Sequence, residues 1–431
     1  MRLRLHNGHI VDPANAIDAV GDVCIADGKI VSVQAKNTDF TAERTIDVTA
    51  KLVIPGLVDL CARFREPGAE YKATIASESK AAASGGITSI CCPPDTRPVI
   101  DTPAVVELIH QRADLSHTRI YPLGALTHGL TGERLSEMQT LKLAGCVGVS
   151  NGTQAIRNSE VLRRAMEYAA GFGIPVYLHP EDYYLRNEGV LHEGATSTRL
   201  GLPPIPATAE SVAVSQALLL LEQAGGRLHL GRLSCARSVE LIAEAKRRGL
   251  QVTADTGISY LHLCDSDIGN YDTSRHMIPP LRSLQDRQAL RTALADGVLD
   301  AVCSDHQPHD DDAKAAPFSE TEPGASTIEV LWPLLYQLLL DKCLTLSQAV
   351  AAVTANPARI LGIAQGHLGI GADADLAVID PARTFTVRRD QMLSAGKNTP
   401  FEARHLTGQV TQTLVRGRVV YERDVTSGRY S

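Results

Sequence analysis

The stretch GLVDLCARFREPG, residues 56–68, runs from apolar residues into a charged turn that closes on glycine. As a short strand feeding a loop, it places residues two apart on the same side, because side chains alternate along a strand. Cys61 and Arg63 therefore share a face at the C-terminal end of that strand. A thiolate at 61 can coordinate a metal ion. A guanidinium at 63 cannot, since it keeps its proton and has no acceptor lone pair.

Working outward, the same pattern recurs along the chain. KLVIPGLVDL (51–60), GITSICCPP (86–94), TRIYPLGAL (118–126), GCVGVSN (145–151), IPVYLHPED (174–182), RLHLGRLS (227–234), GLQVTADT (249–256) and VLDAVCSDHQPH (298–309) are apolar runs ending in polar, Gly or Pro residues. Between them lie segments with helical spacing and a glycine stop, such as SVAVSQALLLLEQAG (211–225) and SVELIAEAKRRG (238–249). Eight strand ends alternating with helices predict an α/β fold, a (β/α)8 TIM-type barrel over residues 54–365, with its chemistry at the C-terminal strand ends.

The flanks read differently. VCIADGKIVSV (23–33) sets Asp27-Gly28 between two apolar alternations, a hairpin signal, and DADLAVID (373–380) and QTLVRGRVVYE (412–422) repeat that look near the end. Residues 1–53 and 366–431 are expected to build one small composite β-sandwich domain that closes an end of the barrel. HPEDYYLRNEGVLHEG (179–194) is expected to be the solvated start of the next helix.

Composition narrows the classes. Hydrophobic content of 44% and charged content of 21% are those of a globular protein, and a net charge of −7 without basic runs leaves no footprint for a nucleic acid. VLWPLLYQLLL (330–340) is too short to span a bilayer, and no apolar export segment follows the first residues, so no membrane association and a cytoplasmic location are expected. Nine cysteines, an odd count set mostly among apolar residues, read as reduced thiols used as small hydrophobes.

At this point the motifs carry a resemblance. PGLVDLCARFREPG is similar to the dihydroorotase pattern Asp-x-His-x-His-x-Arg-Glu-Pro-Gly, and the similarity continues through GITSICCPPDTRP, THGLTGERLSEM, CVGVSNG, YLHPED, RLSCARSVELI, YDTSRHMIPPLRS, SDHQPH and GKNTPF. It spans nearly the whole chain in collinear order. The resemblance implies a metal-dependent branch of the amidohydrolase superfamily that closes and opens dihydroorotate in pyrimidine biosynthesis.

Residue by residue, the same resemblance implies a lost metal centre. The paired first-strand histidines correspond to Cys61 and Arg63, the bridging carboxylate to Asn151 or Gly152, and the fifth-strand histidine to Arg232. Only His179 and Asp305 remain of the metal shell, with Asp305 a vestigial catalytic residue. Arg65 and His309 persist from the substrate-binding set, while its two asparagines correspond to Arg97 and Ile278; His306 is positional in this motif.

Two readings follow. In the first the protein is a catalytically inactive homologue, a pseudoenzyme without a cofactor, acting as a structural partner of aspartate transcarbamoylase and itself a homo-oligomer, as the resemblance implies. In the alternative, a cyclic amide hydrolase keeps zinc in an altered site built from Cys61, His179 and Asp305. Charge balance favours the first: an aspartate stripped of its metal in a partly dry site needs a counter-cation, and Arg63 and Arg232 are cations gained at vacated ligand positions. Either is expected to make a two-pronged contact with Asp305. Arg65, in its turn, is as readily explained by a salt bridge as by a bound anion.

Overall fold

The computed structural model describes residues 1–34 and 39–423. Eight short parallel strands run in sequence order around the centre: β1 Leu57–Asp59, β2 Ile87–Cys92, β3 Arg119–Ala125, β4 Gly148–Ser150, β5 Val176–Leu178, β6 Leu228–Leu230, β7 Val252–Gly257 and β8 Ala301–Cys303. Seven of the eight neighbours are joined by ladders. The eighth junction is made just past the strands, where the Arg63 amide donates to the His306 carbonyl at 2.9 Å and Ala62 bridges His306. Below it the Asp59 carboxylate accepts the Ser304 amide at 2.9 Å, and burial pushes that carboxyl up to about 6. The strand whose sequence decided the fold therefore closes the barrel, by loop and side-chain contacts rather than by a ladder.

The helices expected from periodicity form at Thr208–Ala224 and Ala236–Arg247. VLWPLLYQLLL becomes the buried helix Leu331–Leu340, and among the described residues no helix is long and apolar enough to cross a membrane. Of the nine cysteines, only Cys343 is not buried.

Both ends of the chain meet in one eight-stranded mixed sheet, whose apolar side joins Leu3, Leu5 and Ile25 to Leu376, Val378 and Leu414. Its two tight hairpins are alike: Asp27 and Gly28 take φ of 50° and 77°, Arg416 and Gly417 take 50° and 72°, the doubly left-handed turn that matches strand twist. KLVIPGLVDL is not one strand. Leu52–Pro55 pairs with the terminal sheet and Leu57–Asp59 with the barrel, and the break falls at Gly56, where a Cβ would lie 2.2 Å from the Thr88 hydroxyl. The 179–194 segment likewise departs from expectation, forming the short helix Tyr183–Arg186 and then a two-stranded ribbon of Leu191–His192 with Pro204–Ile205. Asn187, with φ of 48°, stops that helix after one turn.

Candidate functional site

Three non-glycine residues at the barrel mouth hold left-handed backbone: Arg65 at φ 63°, Arg232 at 61° and Asp305 at 48°. Such conformations cost about 1 kcal/mol or more each and persist where surrounding structure enforces them. The enforcement is visible at Arg232. Its amide donates to Asp255 on β7 at 2.6 Å, and Glu210, from the Thr208–Ala224 helix, accepts the Ser234 and Cys235 amides that follow.

Asp305 stands at the centre, 9% exposed. Arg63 Nη1 lies 3.7 Å and Arg232 Nη1 3.6 Å from the same oxygen, Oδ1. Cys61 Sγ is 3.9 Å from that oxygen, and Gln307 donates to it at 3.2 Å. Burial raises the Asp305 carboxyl above its ordinary value, against the opposing pull of Arg232 and Arg63. Two guanidinia thus converge on one carboxylate oxygen, each at ion-pair rather than hydrogen-bond distance.

The expected two-pronged contact falls elsewhere. Arg63 reaches Asp95 with Nε at 2.9 Å and Nη2 at 2.8 Å, both on Oδ2. Asp95, in the loop after β2, has burial pushing its carboxyl up, but Arg63 outweighs it and holds the group low. Asp95 also packs over Gly152, where a Cβ would meet its Cβ at 3.3 Å and Oδ2 at 3.5 Å. A carboxylate has therefore entered the space over position 152, which itself supplies none. Sequence reasoning passed over Asp95, although it stands in the same DTRP segment as Arg97; its sign, opposite to the gained arginines, was the available signal.

Asn151 is fully engaged in its loop: its amide donates to the Gln154 and Leu130 carbonyls and its oxygen accepts from Thr127 at 2.7 Å. Ile278 packs against Ile205 and Ala209 in an apolar cluster and offers nothing polar. His179 differs from both. Among the described residues neither of its ring nitrogens has a hydrogen-bond partner, and burial, reinforced by Arg232, depresses its pKa well below the ordinary range.

Arg65 and His309 hold each other. Arg65 donates through Nε to the Pro308 carbonyl at 2.9 Å, and its Nη2 lies 3.0 Å from His309 Nε2. Burial and Arg65 drive the His309 pKa down to about 2, so the ring is neutral. Contrary to expectation, Arg65 forms no salt bridge with any described carboxylate. Lys72, absent from the sequence reading, reaches toward His309 Nδ1 at 3.3 Å and pairs with Glu322 at 2.5 Å. His306 is structural: its Nδ1 accepts the Thr327 amide at 3.2 Å and its Nε2 faces Glu78 at 2.7 Å.

This donor set does not suit a dication. Among the described residues no three His, Cys, Asp or Glu side chains converge as a metal cluster. Burial pushes the Cys61 thiol up to about 12, keeping it protonated at neutral pH, and two permanent cations flank Asp305.

Fold and site together define an amidohydrolase-type barrel with a rebuilt centre. Residues 50–238 match the Dihydro-orotase-like family and residues 197–421 the Amidohydrolase family. A dihydroorotase-like protein of Pseudomonas aeruginosa is 45% identical, covering 98% of this chain and 100% of that protein. A dihydroorotase of Anaeromyxobacter dehalogenans is 43% identical, covering 98% of each. The L-hydantoinase (dihydropyrimidinase) of Arthrobacter aurescens superposes with a TM-score of 0.88 at 26% identity, over 97% of this chain and 96% of that one. The chain belongs to the dihydroorotase-like family of amidohydrolases.

Proposed function

We propose that this member of the family does not hydrolyse cyclic amides and that its barrel serves as a structural partner of aspartate transcarbamoylase in pyrimidine biosynthesis. The observation that carries the first half is the convergence of Arg63 and Arg232 on Asp305 Oδ1, at 3.7 and 3.6 Å. Metal-assisted hydrolysis needs a dication to polarise the carbonyl and supply hydroxide near neutral pH. A guanidinium supplies positive charge but binds no water as a Lewis acid, and the groups that would have gripped a substrate, Arg65 and His309, are engaged with each other. The protein is then metal-free and cytoplasmic, and works as an oligomer.

The partnership rests on the family resemblance, and its test is direct. Purified under native conditions from its own cells, the protein is expected to bring aspartate transcarbamoylase with it in stoichiometric amount; migration without that enzyme would remove the partner role. For the chemistry, dihydroorotate hydrolysis is assayed with zinc added, for the parent and for Asp305→Ala. No turnover by either is expected.

One observation favours the alternative, a hydrolase with an altered zinc site. Among the described residues His179 has two unpartnered ring nitrogens, and it is close enough to Arg232 and Arg63 for both to depress its pKa. Turnover present in the parent and abolished in Asp305→Ala would establish that reading.

A further inference from the structure

Strand Leu376–Thr386 of the terminal sheet is interrupted at Pro381, which has no amide to give the ladder. Asp380 pairs with Gln409 and the next pair is Thr384 with Thr407, so residues 381–383 stand against Gly408. Asp380 Oδ1 fixes this bulge by accepting the Ala382 and Arg383 amides, each at 3.1 Å. Beside it a cavity of about 260 Å³ lies between the sheet and two outer helices of the barrel, Ile75–Ser84 and Leu331–Leu340. That volume is just below the roughly 300 Å³ at which sites for drug-sized ligands begin, and it suits a single ring or a short branched chain.

The cavity is separate from the barrel mouth: none of Arg63, Arg65, His179, Arg232, Asp305 and His309 lines it. One loop joins the two places. Glu329 in the cavity wall accepts the Leu393 and Ser394 amides, Ala395 donates to Glu78, and the Gly396 backbone packs against Pro308 and His309.

The wall has two sides. Val330, Pro333, Phe385, Met392 and Val410 form an apolar one, and Arg383, Arg388, Arg423, Gln409 and Glu329 a polar one. Most of the polar groups are engaged. Arg388 pairs with Asp390 at 3.1 Å, Arg423 lies over the Tyr421 ring, and Glu329 is held by the two loop amides, with burial raising its carboxyl to about 7. Arg383 differs: its guanidinium, half-buried, makes no hydrogen bond or ion pair with the described residues. Nor does the side-chain amide of Gln409, only 7% exposed, find a partner among them. A guanidinium and an amide drawn out of water beside an apolar wall lose hydration without replacement. One carboxylate matches the fork of one guanidinium, and an apolar body attached to it covers the wall.

We infer that this cavity binds a small monocarboxylate carrying an apolar ring or branched chain, with Arg383 on the carboxylate, Gln409 supplying a further hydrogen bond, and the apolar body against Phe385, Met392 and Val410.

The test is calorimetric titration of the full chain with benzoate, acetate and benzamide at matched ionic strength, with tryptophan emission followed in parallel. Trp332, the only tryptophan of the chain, is fully buried and precedes Pro333 of the cavity wall, so its emission reports on this place. Acetate lacks the apolar body and benzamide the charge. Benzoate is expected to bind at least about tenfold more tightly than either and to change the Trp332 emission. Arg383→Gln is expected to lower benzoate affinity about tenfold, and Arg383→Lys to recover part of the loss. No binding of benzoate, equal binding of all three probes, binding untouched in Arg383→Gln, or binding without a Trp332 response would overturn the proposal.

Discussion

Asp305 and His306 are neighbours at the end of the eighth strand, yet their surroundings are opposite in kind. His306 is closed. Its ring and the Glu78 side chain are fully buried, 2.7 Å apart, with the second ring nitrogen satisfied by the Thr327 amide. Asp305 is more loosely held, with two guanidinia beyond hydrogen-bond distance and, among the described residues, unpartnered atoms nearby on Arg232 and His179. One half of a single motif fastens the helix Ile75–Ser84 to the barrel; the other half faces the charged groups of the barrel mouth. Packing keeps constraining the first whatever the activity, because a buried carboxylate cannot lose its partner cheaply. The contacts of Asp305 are longer, a hydrogen bond from Gln307 at 3.2 Å and two ion pairs at 3.6 and 3.7 Å.

That contrast is broken most easily from the closed side. His306→Ala strands the Glu78 carboxylate, which also accepts the Ala395 amide at 2.9 Å, and is expected to cost about 3–5 kcal/mol in denaturant unfolding. Asp305→Asn removes a charge that makes no short contact to either arginine, and about 1–2 kcal/mol is expected. A larger loss for Asp305→Asn than for His306→Ala would reverse the comparison.

Smaller effects come from titration. The His309 pKa falls from 6.5 to about 2 on folding, so between those values the unfolded chain binds a proton that the native state refuses. Its contribution is complete above about pH 6.5 and is lost progressively as pH falls. Its imidazole is expected to stay neutral by NMR at pH 4, and a ring that titrates near pH 6.5 in the native protein would refute its enclosure. Glu329 works in the other direction. Burial raises it from 4.5 to about 7, so its contribution is present below pH 4.5 and is lost as pH rises through 7. Glu329 accepts the Leu393 and Ser394 amides, and Glu329→Gln is expected to flatten the decline in stability between pH 5 and 8.

The barrel was legible because eight apolar runs alternate with helical spacing, and the terminal domain because both of its hairpins carry turn residues. The proximity of Arg63 and Arg232 to Asp305 was expected from the family resemblance, which puts both arginines at metal-ligand positions, together with charge balance. What could not be reasoned was the division of partners. Asp95 approaches from a loop over Gly152, a tertiary packing event with no periodic trace, and it takes the two-pronged contact assigned to Asp305. The mutual hold of Arg65 and His309 joins residues 244 apart and depends on the left-handed backbone of Arg65, which arginine as a residue type does not announce. The break inside KLVIPGLVDL was concealed because both of its halves are buried and apolar.

The central claim is that guanidinium groups have replaced a dication at Asp305. Anomalous scattering at the zinc edge, from crystals grown with zinc, tests it at the atoms concerned. The account predicts no peak at bonding distance, about 2.0–2.2 Å, from Asp305 or His179, with Arg63 and Arg232 still turned toward the carboxylate. A strong peak bonded to both residues, with the two arginines swung away, would contradict it.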